Sequence, residues 1–354
     1  MKVCIVNPNF YRSSGVTVAV RRIFQGVTPL GVEQYFVDCR HGSQEEDISW
    51  IPPGRLCSFL LMDNHPVRLI QQTAAFLRWL RREQIAIVHV HHRRLAALLY
   101  PFQGIGRFRL IYTAQLSYPA ETWFTLFSPR TGVAISPSVA ENLGKTTRIT
   151  QIDIIGNPSD FPLECPEVRA SEVSRTVLCV ARLDPVKAHV HLIEAWKKLT
   201  ERGTRAKLLL VGEGSLKQAL VHQVSALGLT ELVEFRGFRK DIAAEMDRCL
   251  FAVLVSEVEG HPVVVLEAAA RGRPTLVTDV DGSRDGVPPS VNLPNRIPFG
   301  DVEKLAGALE VWLEQPEAVA QEGRLFYDFH KEHHSTEVIG RKYADLYERT
   351  ARTH

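Results

Sequence analysis

Ser256-Glu257-Val258-Glu259-Gly260-His261-Pro262-Val263-Val264-Val265-Leu266-Glu267-Ala268 is the stretch from which the rest of this chain is most easily read. Residues 251–255 just before it form an apolar run of strand length, Gly260 and Pro262 punctuate it, and residues 266–270 have the composition of a helix. A strand, a glycine turn and a helix in that order set Glu259 on the loop beyond the carboxyl end of the strand, where open α/β sheets bind ligands. Glu267 then falls about two turns into the helix. Two carboxylates held on one crevice can accept hydrogen bonds from several hydroxyls at once. The bland alternative is a pair of solvated helix charges.

Outward from this unit the same alternation recurs. Residues 3–6, 34–37, 86–90, 109–113 and 132–135 are expected strands, with helices over 17–26, 67–82 and 95–100. In the second half, residues 176–180, 207–211, 233–235, 251–255 and 275–278 are expected strands, with helices over 189–200, 215–227, 242–248 and 263–270. Strands alternating with helices predict an α/β protein with parallel sheets covered on both faces. The proline-bearing segment Asn157-Pro158-Ser159-Asp160-Phe161-Pro162-Leu163-Glu164-Cys165-Pro166 reads as a linker, giving two doubly wound lobes facing each other across a cleft.

Composition is consistent with two such lobes: 354 residues, 45% hydrophobic and 23% charged, carry enough apolar material for two cores. The amino terminus offers only the four-residue run Val3-Cys4-Ile5-Val6, too short for a signal-peptide core, and no stretch approaches the ~20 apolar residues of a membrane span. A cytoplasmic protein is expected. Cys4, Cys39, Cys57, Cys165, Cys179 and Cys249 lie far apart without a Cys-x-x-Cys pair, so they read as free thiols. The net charge of +2 conceals an asymmetry: residues 1–160 hold 17 Lys/Arg against 11 Asp/Glu, and residues 161–354 hold 25 against 29. Arg68, Arg78, Arg81 and Arg82, beside Trp79 and Leu80, make the first half a candidate for peripheral attachment to an anionic membrane surface, against the plainer reading of solvated helix faces. No nucleic-acid-binding module accompanies the basic residues, so no nucleic acid partner is expected.

Further motifs stand at strand ends. After the first strand a polar loop reaches Gly15, where a helix N-terminus suits an anion or a hydroxyl; no Gly-x-Gly-x-x-Gly occurs, which lowers the case for a dinucleotide-dependent oxidoreductase. Val88-His89-Val90-His91-His92 closes another strand, and alternation sends His89 and His91 to one face; the rest of a metal ligand set is not evident. Ser136-Pro137 reads as a helix N-cap followed by proline at the first helical position. Arg182 and Lys187 are cations just past a strand end, able to project into the crevice, against the plainer reading of ordinary surface charges.

Together these segments resemble the retaining glycosyltransferases of the GT-B fold, family four. Glu259-Gly260-His261-Pro262-x4-Glu267-Ala268 is similar to the family's Glu-x7-Glu element, with histidine for the usual phenylalanine, and residues 271–285 follow the family's next run, with Asp285 for glutamate. Ala181-Arg182-Leu183-x3-Lys187-Ala188 resembles its Gly-Arg-Leu-x3-Lys-Gly loop, Val211-Gly212-Glu213-Gly214 its Val-Gly-x-Gly turn, and Phe235-Arg236-Gly237-Phe238 its Phe-x-Gly-x element bordering the nucleotide base. Tyr112-Thr113-Ala114-Gln115 stands where relatives show Thr-x-His-Asp, which leaves Gln115 as a candidate acceptor contact, and Pro288 to Pro294 departs from the family's next strand.

The resemblance implies two Rossmann-like lobes: an acceptor-side lobe over 1–160 joined by a C-terminal helix over 336–354, and a donor-binding lobe over 161–335. It implies transfer of a sugar, with retention, from a nucleotide diphosphate sugar to an acceptor hydroxyl, in cell-surface polysaccharide, lipopolysaccharide or glycolipid assembly. The acceptor would be a glycan, a lipid-linked molecule or a small molecule. Arg182 and Lys187 would neutralise the diphosphate, Glu259 and His91 would contact the transferred sugar, and Glu267 would bind the ribose. Gly15, Gly212, Arg236, Gly237, Phe238, Gly260, His261, Pro262 and Val263 would complete the donor site, without a metal or other cofactor. A sugar-nucleotide 2-epimerase and a catalytically silent nucleotide-sugar-binding subunit are the competing readings.

Overall fold

A computed structural model describes residues 1–8, 10, 15–39, 48–168 and 175–352. The chain forms two compact units, Met1–Pro158 with Thr336–His354, and Ser159–Ser335.

In the first unit the strands are β1 (Lys2–Asn7), β2 (Glu33–Asp38), β3 (Leu56–Ser58), β4 (Ile87–Val90), β5 (Arg109–Ala114), β6 (Thr131–Ala134) and β7 (Gln151–Ile154). They form one sheet in the order β3-β2-β1-β4-β5-β6-β7, every neighbouring pair parallel. Because helices cover both faces, β1 and β4 are buried almost throughout, which is why they read as near-continuous apolar runs. One face packs α2 (Pro66–Arg82), α3 (Arg93–Leu99) and α6 (Pro137–Thr146) through Phe76, Leu80, Leu95 and Val139. The other packs α1 (Gly15–Val27) and the final helix, α13 (Thr336–Arg352), through Ile23, Tyr343 and Tyr347. The expected cap of α6 is present: Ser136 Oγ accepts from Val139 N at 3.4 Å.

The final helix reaches α1 so closely that only glycines fit at the crossing. A Cβ on Gly26 would lie 2.4 Å from the Thr336 carbonyl oxygen, and one on Gly340 would lie 2.5 Å from the Gly26 carbonyl group. Tyr347 then hydrogen bonds through Oη to His89 Nδ1 at 2.9 Å, tying this helix to β4.

The second unit holds β8 (Thr176–Val180), β9 (Lys207–Val211), β10 (Val233–Gly237), β11 (Phe251–Leu254), β12 (Thr275–Thr278) and β13 (Arg296–Ile297). Their order is β10-β9-β8-β11-β12-β13, again all parallel. Helices α7 (His189–Glu201), α8 (Lys217–Ala226) and α11 (Val302–Glu314) bury Trp196, Leu220 and Trp312 against one face. Helices α9 (Ile242–Met246), α10 (Val263–Ala270) and α12 (Pro316–His334) bury Met246, Ala268, Val265 and Phe326 in the cores on the other. Both sheets are therefore doubly wound, as the alternation predicts. Short α4 (Gln103–Gly106) and α5 (Thr122–Leu126) complete the helices of the first unit.

Three strands escaped the sequence reading. β3, β7 and β13 lie at the outer edges of their sheets, where burial is partial and a short run carries no apolar signature. The six cysteines are free thiols; Cys4, Cys39, Cys179 and Cys249 are buried, Cys57 and Cys165 partly so. One expectation needs correction. Trp79 and Leu80, read as apolar partners of a membrane-facing arginine cluster, are 8% and 0% exposed because they fill the core against β2 and β4. What α2 exposes is Val67 and Ile70 together with Arg68, Arg78, Arg81 and Arg82. No helix among the described residues is long and apolar enough to cross a membrane.

Candidate functional site

In a doubly wound sheet the two strands at which the winding reverses leave a crevice at their carboxyl ends, since the loops following them diverge to opposite faces. In the second unit those strands are β8 and β11. The loop after β8 carries Arg182 and Lys187, and the loop after β11 carries Glu259 to Pro262. The two loops are joined: Glu257 N donates to Val186 O at 2.8 Å, and Lys187 Nζ meets Glu259 Oε1 at 2.5 Å. Ser256 Oγ donates to the same Oε1 at 2.6 Å, while Thr278 Oγ1, from the end of β12, holds the Ser256 carbonyl at 2.6 Å. Both bonds to Glu259 fall on Oε1, so Oε2 has no hydrogen-bond partner among the described residues and can accept from a ligand hydroxyl. A carboxylate with 9% of its side chain exposed and an ammonium with 20% form a largely desolvated pair, whose opposite charges hold the loops in register.

Neighbouring loops complete the rim. Gly212 adopts φ +145° and its missing side chain admits the Ala181 carbonyl, which a Cβ would meet at 2.0 Å. Leu183 N donates to Glu213 O at 3.0 Å, Leu216 N to Leu183 O at 2.9 Å, and Gly212 N to Gly237 O at 2.9 Å. On the other side Gly282, at φ +78°, presses against the turn: a Cβ there would stand 2.3 Å from the Gly260 carbonyl oxygen and 2.5 Å from that of Glu259. The rim thus joins the Arg182–Lys187 loop, the Gly212 turn, Gly237 and the Glu259–Gly260 turn.

The other expected residues are placed as follows. Arg182 extends outward, 65% exposed, and pairs with Asp184 at 2.8 Å, whereas Lys187 turns inward to Glu259. Arg236 is held by Glu234 at 2.8 Å and by the buried Glu245 at 3.2 Å, so its charge is already engaged. Phe238 is half exposed at 49%. Pro262 is the N-cap of α10, Val263 its first residue, and Glu267 its fifth, half-buried and nearer one and a half turns in than two. His261 is buried; its ring packs on His334 with centroids 4.6 Å apart, and burial pushes its imidazole down to about 4 despite the opposing pull of Asp285. The phenylalanine expected from the family is thus replaced by a neutral aromatic ring of similar packing use. Ser256, Thr278 and Asp184 were not singled out in the sequence, because a serine or threonine at a strand end carries no signal until its partner is known.

In the first unit the winding reverses between β1 and β4. Gly15, the first residue of α1, follows the loop after β1; Asn9 and Tyr11 to Ser14 of that loop lie outside the described residues. His91 follows β4 directly. His89 is sealed, bonded to Tyr347 Oη at 2.9 Å and to Thr113 Oγ1 at 2.6 Å, which makes it a buried structural histidine. His91 packs against it with ring centroids 4.5 Å apart and planes inclined by 32°, is 8% exposed, and is pushed down to about 4 by burial. Gln115 Nε2 lies 3.1 Å from His91 Nδ1. Among the described residues no group of three or more His, Cys, Asp or Glu side chains is arranged to hold a metal ion.

Comparison with known proteins agrees with this geometry. The model of "Glycosyl transferases group 1" matches residues 164–324, and that of "Glycosyltransferase Family 4" matches residues 13–161. The chain is a family four glycosyltransferase of the GT-B fold. Similar proteins include the putative glycosyltransferase EpsF of Bacillus subtilis, 32% identical over 51% of this chain and 48% of that one. A second is the N-acetylgalactosamine-N,N'-diacetylbacillosaminyl-diphospho-undecaprenol 4-alpha-N-acetylgalactosaminyltransferase of Campylobacter jejuni, 36% identical over 29% of this glycosyltransferase and 27% of the relative. The alignments therefore span about half or less of these relatives. Among solved structures, Anabaena HepE in complex with UDP superposes with a TM-score of 0.82 over 99% of this chain and 100% of its own, at 17% identity, a likeness of fold.

Proposed function

We propose that this glycosyltransferase moves a sugar from a nucleotide diphosphate sugar to an acceptor hydroxyl with retention of the anomeric configuration, in the assembly of a cell-surface polysaccharide or glycolipid. The observation that carries this reading is the Lys187–Glu259 pair, which sits at the switch point of the second sheet with one carboxylate oxygen left to a ligand. Lys187 and Arg182 are suited to stabilise the diphosphate as its charge grows on departure of the sugar. When a diphosphate draws the Lys187 ammonium, Glu259 keeps Ser256 as its donor and offers Oε2 to a sugar hydroxyl. Glu267 would take the ribose hydroxyls, and His91 the sugar from the acceptor-side lobe.

In the proposed reaction the acceptor oxygen attacks the anomeric carbon on the face from which the diphosphate leaves, and a diphosphate oxygen takes the acceptor proton. Two cations with the amino end of α10 would do the work of a metal ion, so no metal is needed. A UDP-sugar donor is supported by the fold likeness to HepE, whose structure contains UDP, and a lipid-linked acceptor by the name of the Campylobacter relative. Attachment of the first unit to an anionic membrane is supported by its basic surplus and by the exposed Trp123, Leu126 and Phe127.

The test is incubation with a panel of labelled nucleotide sugars, with and without lipid-extract acceptors, followed by NMR of the product's anomeric linkage. Transfer with retained configuration is expected. Epimerised donor, or tight donor binding without turnover or hydrolysis, would replace the proposal by an epimerase or a silent subunit.

A further inference from the structure

The sequence made Gln115 a departure from its family and left it as a candidate acceptor contact; the structure gives it another partner. β4 and β5 run parallel with Val90 opposite Tyr112, so the chain leaves the sheet at His91 and at Gln115 side by side. The Gln115 amide nitrogen lies 3.1 Å from His91 Nδ1. An amide nitrogen only donates, so Nδ1 accepts and the single proton of a neutral imidazole resides on Nε2. Nε2 has no hydrogen-bond partner among the described residues and is not sealed from solvent, so it is the edge a ligand can reach.

The surroundings keep that ring neutral. The titratable groups near it are His89 in β4, with ring centroids 4.5 Å apart, and behind His89 the phenols of Tyr343 and Tyr347 on α13. Burial disfavours a proton on His89 and His91 and disfavours ionisation of both tyrosines, so none of the four carries charge near neutral pH. A neutral N–H donor beside the transferred sugar can hold a hydroxyl without opposing the positive charge that builds on the sugar ring in the transition state. An imidazolium would oppose it. An aspartate at position 115 would accept from Nδ1–H instead and hold the proton on the edge turned away from Nε2.

We infer that Gln115 is a positioning residue that fixes the His91 proton on Nε2, making His91 a neutral hydrogen-bond donor to the transferred sugar and not a proton-transfer group. The inference rests on the proposed contact between His91 and that sugar, but its first readout does not. Nitrogen NMR of histidine-labelled protein, with His91 assigned by substitution, should find Nδ1 unprotonated and Nε2 protonated between pH 8 and pH 5, values chosen above the His91 titration at about 4. In Gln115→Ala both tautomers should appear, and kcat should fall about tenfold or more with donor KM within about twofold. Gln115→Glu should move the proton to Nδ1, raise the His91 pKa, and give a kcat that rises as pH falls through the new value, where the parent's is flat, because protonation restores the Nε2 donor while the introduced carboxylate balances the imidazolium charge.

A parent His91 protonated on Nδ1, or a tautomer unchanged in Gln115→Ala, overturns the inference. Should either variant fail to fold, the parent spectrum still decides. If no nucleotide sugar turns over, the transferase reading fails separately, because the spectra are taken on the free protein.

Discussion

The Lys187 ammonium and the Glu259 carboxylate, 72 positions apart in the chain, meet at 2.5 Å across the point where the winding of the second sheet reverses. Each loop leaves a different strand, and neither charge is well solvated, so each group fixes the other.

Lys187→Ala should therefore do two things. Turnover should fall on the order of a hundredfold or more, as expected when ~3 kcal/mol of leaving-group stabilisation is lost, and nucleotide diphosphate affinity should fall more than monophosphate affinity. Arg182→Ala, whose side chain is exposed and pairs with Asp184 among the described residues, should cost turnover but little stability. Titration calorimetry with the two nucleotides and a thermal melt separate the effects; rate and diphosphate affinity within about twofold of the parent in both variants would remove the phosphate assignment.

Glu259→Gln should mainly lower kcat and Glu267→Gln mainly raise donor KM, since ribose contacts are common to ground and transition states while sugar contacts strengthen as charge builds. The reverse pattern in steady-state kinetics would exchange the two roles. Activity should persist in excess chelator; loss restored by a divalent ion would reject metal independence.

Gly282→Ala places a methyl group against the Glu259 and Gly260 carbonyls in a backbone region that disfavours side chains. The turn must shift, carrying Glu259 with it. A fall in kcat of about tenfold or more is expected, with a loss of stability on the order of 1–3 kcal/mol. Unchanged kinetics would mean that the turn's position is immaterial to the reaction.

Acid should destabilise the protein from the histidine side. His91, His189 and His261 are pushed down to about 4 and His330 to about 3, each chiefly by burial. A depressed folded-state value means that the unfolded chain takes up protons first as pH drops below the ordinary value of 6.5. Stability is thus full above that value and is lost between it and about 4. Replacing His261 by phenylalanine removes one such group, and thermal melts at pH 5 should find the variant protected by about 2 kcal/mol relative to its difference at pH 8. Equal differences at the two pH values would show that His261 is not a buried neutral imidazole.

The proposed membrane attachment would have two contributions. Near an anionic surface each arginine can add about 1 kcal/mol, so Arg78→Gln with Arg82→Gln should weaken low-salt binding to anionic vesicles. Trp123→Ser with Phe127→Ser should weaken the part that survives high salt, because apolar burial is not screened. Co-sedimentation equal for neutral and anionic vesicles, or absent from both at low salt, would leave these as ordinary solvated faces.

The winding of both lobes was legible in the sequence because central parallel strands, buried on two faces, must be apolar along their length and must alternate with helices that cover them. Even the bounds of β8, β9, β12 and α10 were readable, since Gly, Pro and polar residues flank them. Edge strands β3, β7 and β13 were not, for they bury too little to impose a pattern. Glu259, Lys187 and His91 could be named from local motifs alone. Which groups they touch could not. Strand order is set by how helices pack across a whole sheet, and only that order makes β8 and β11, or β1 and β4, neighbours. It brought Lys187 to Glu259 and turned Arg182 away. It also set Gln115 against His91, and it buried Trp79 and Leu80, which the helix periodicity of α2 left beside arginines but the packing of β2 and β4 claimed for the core.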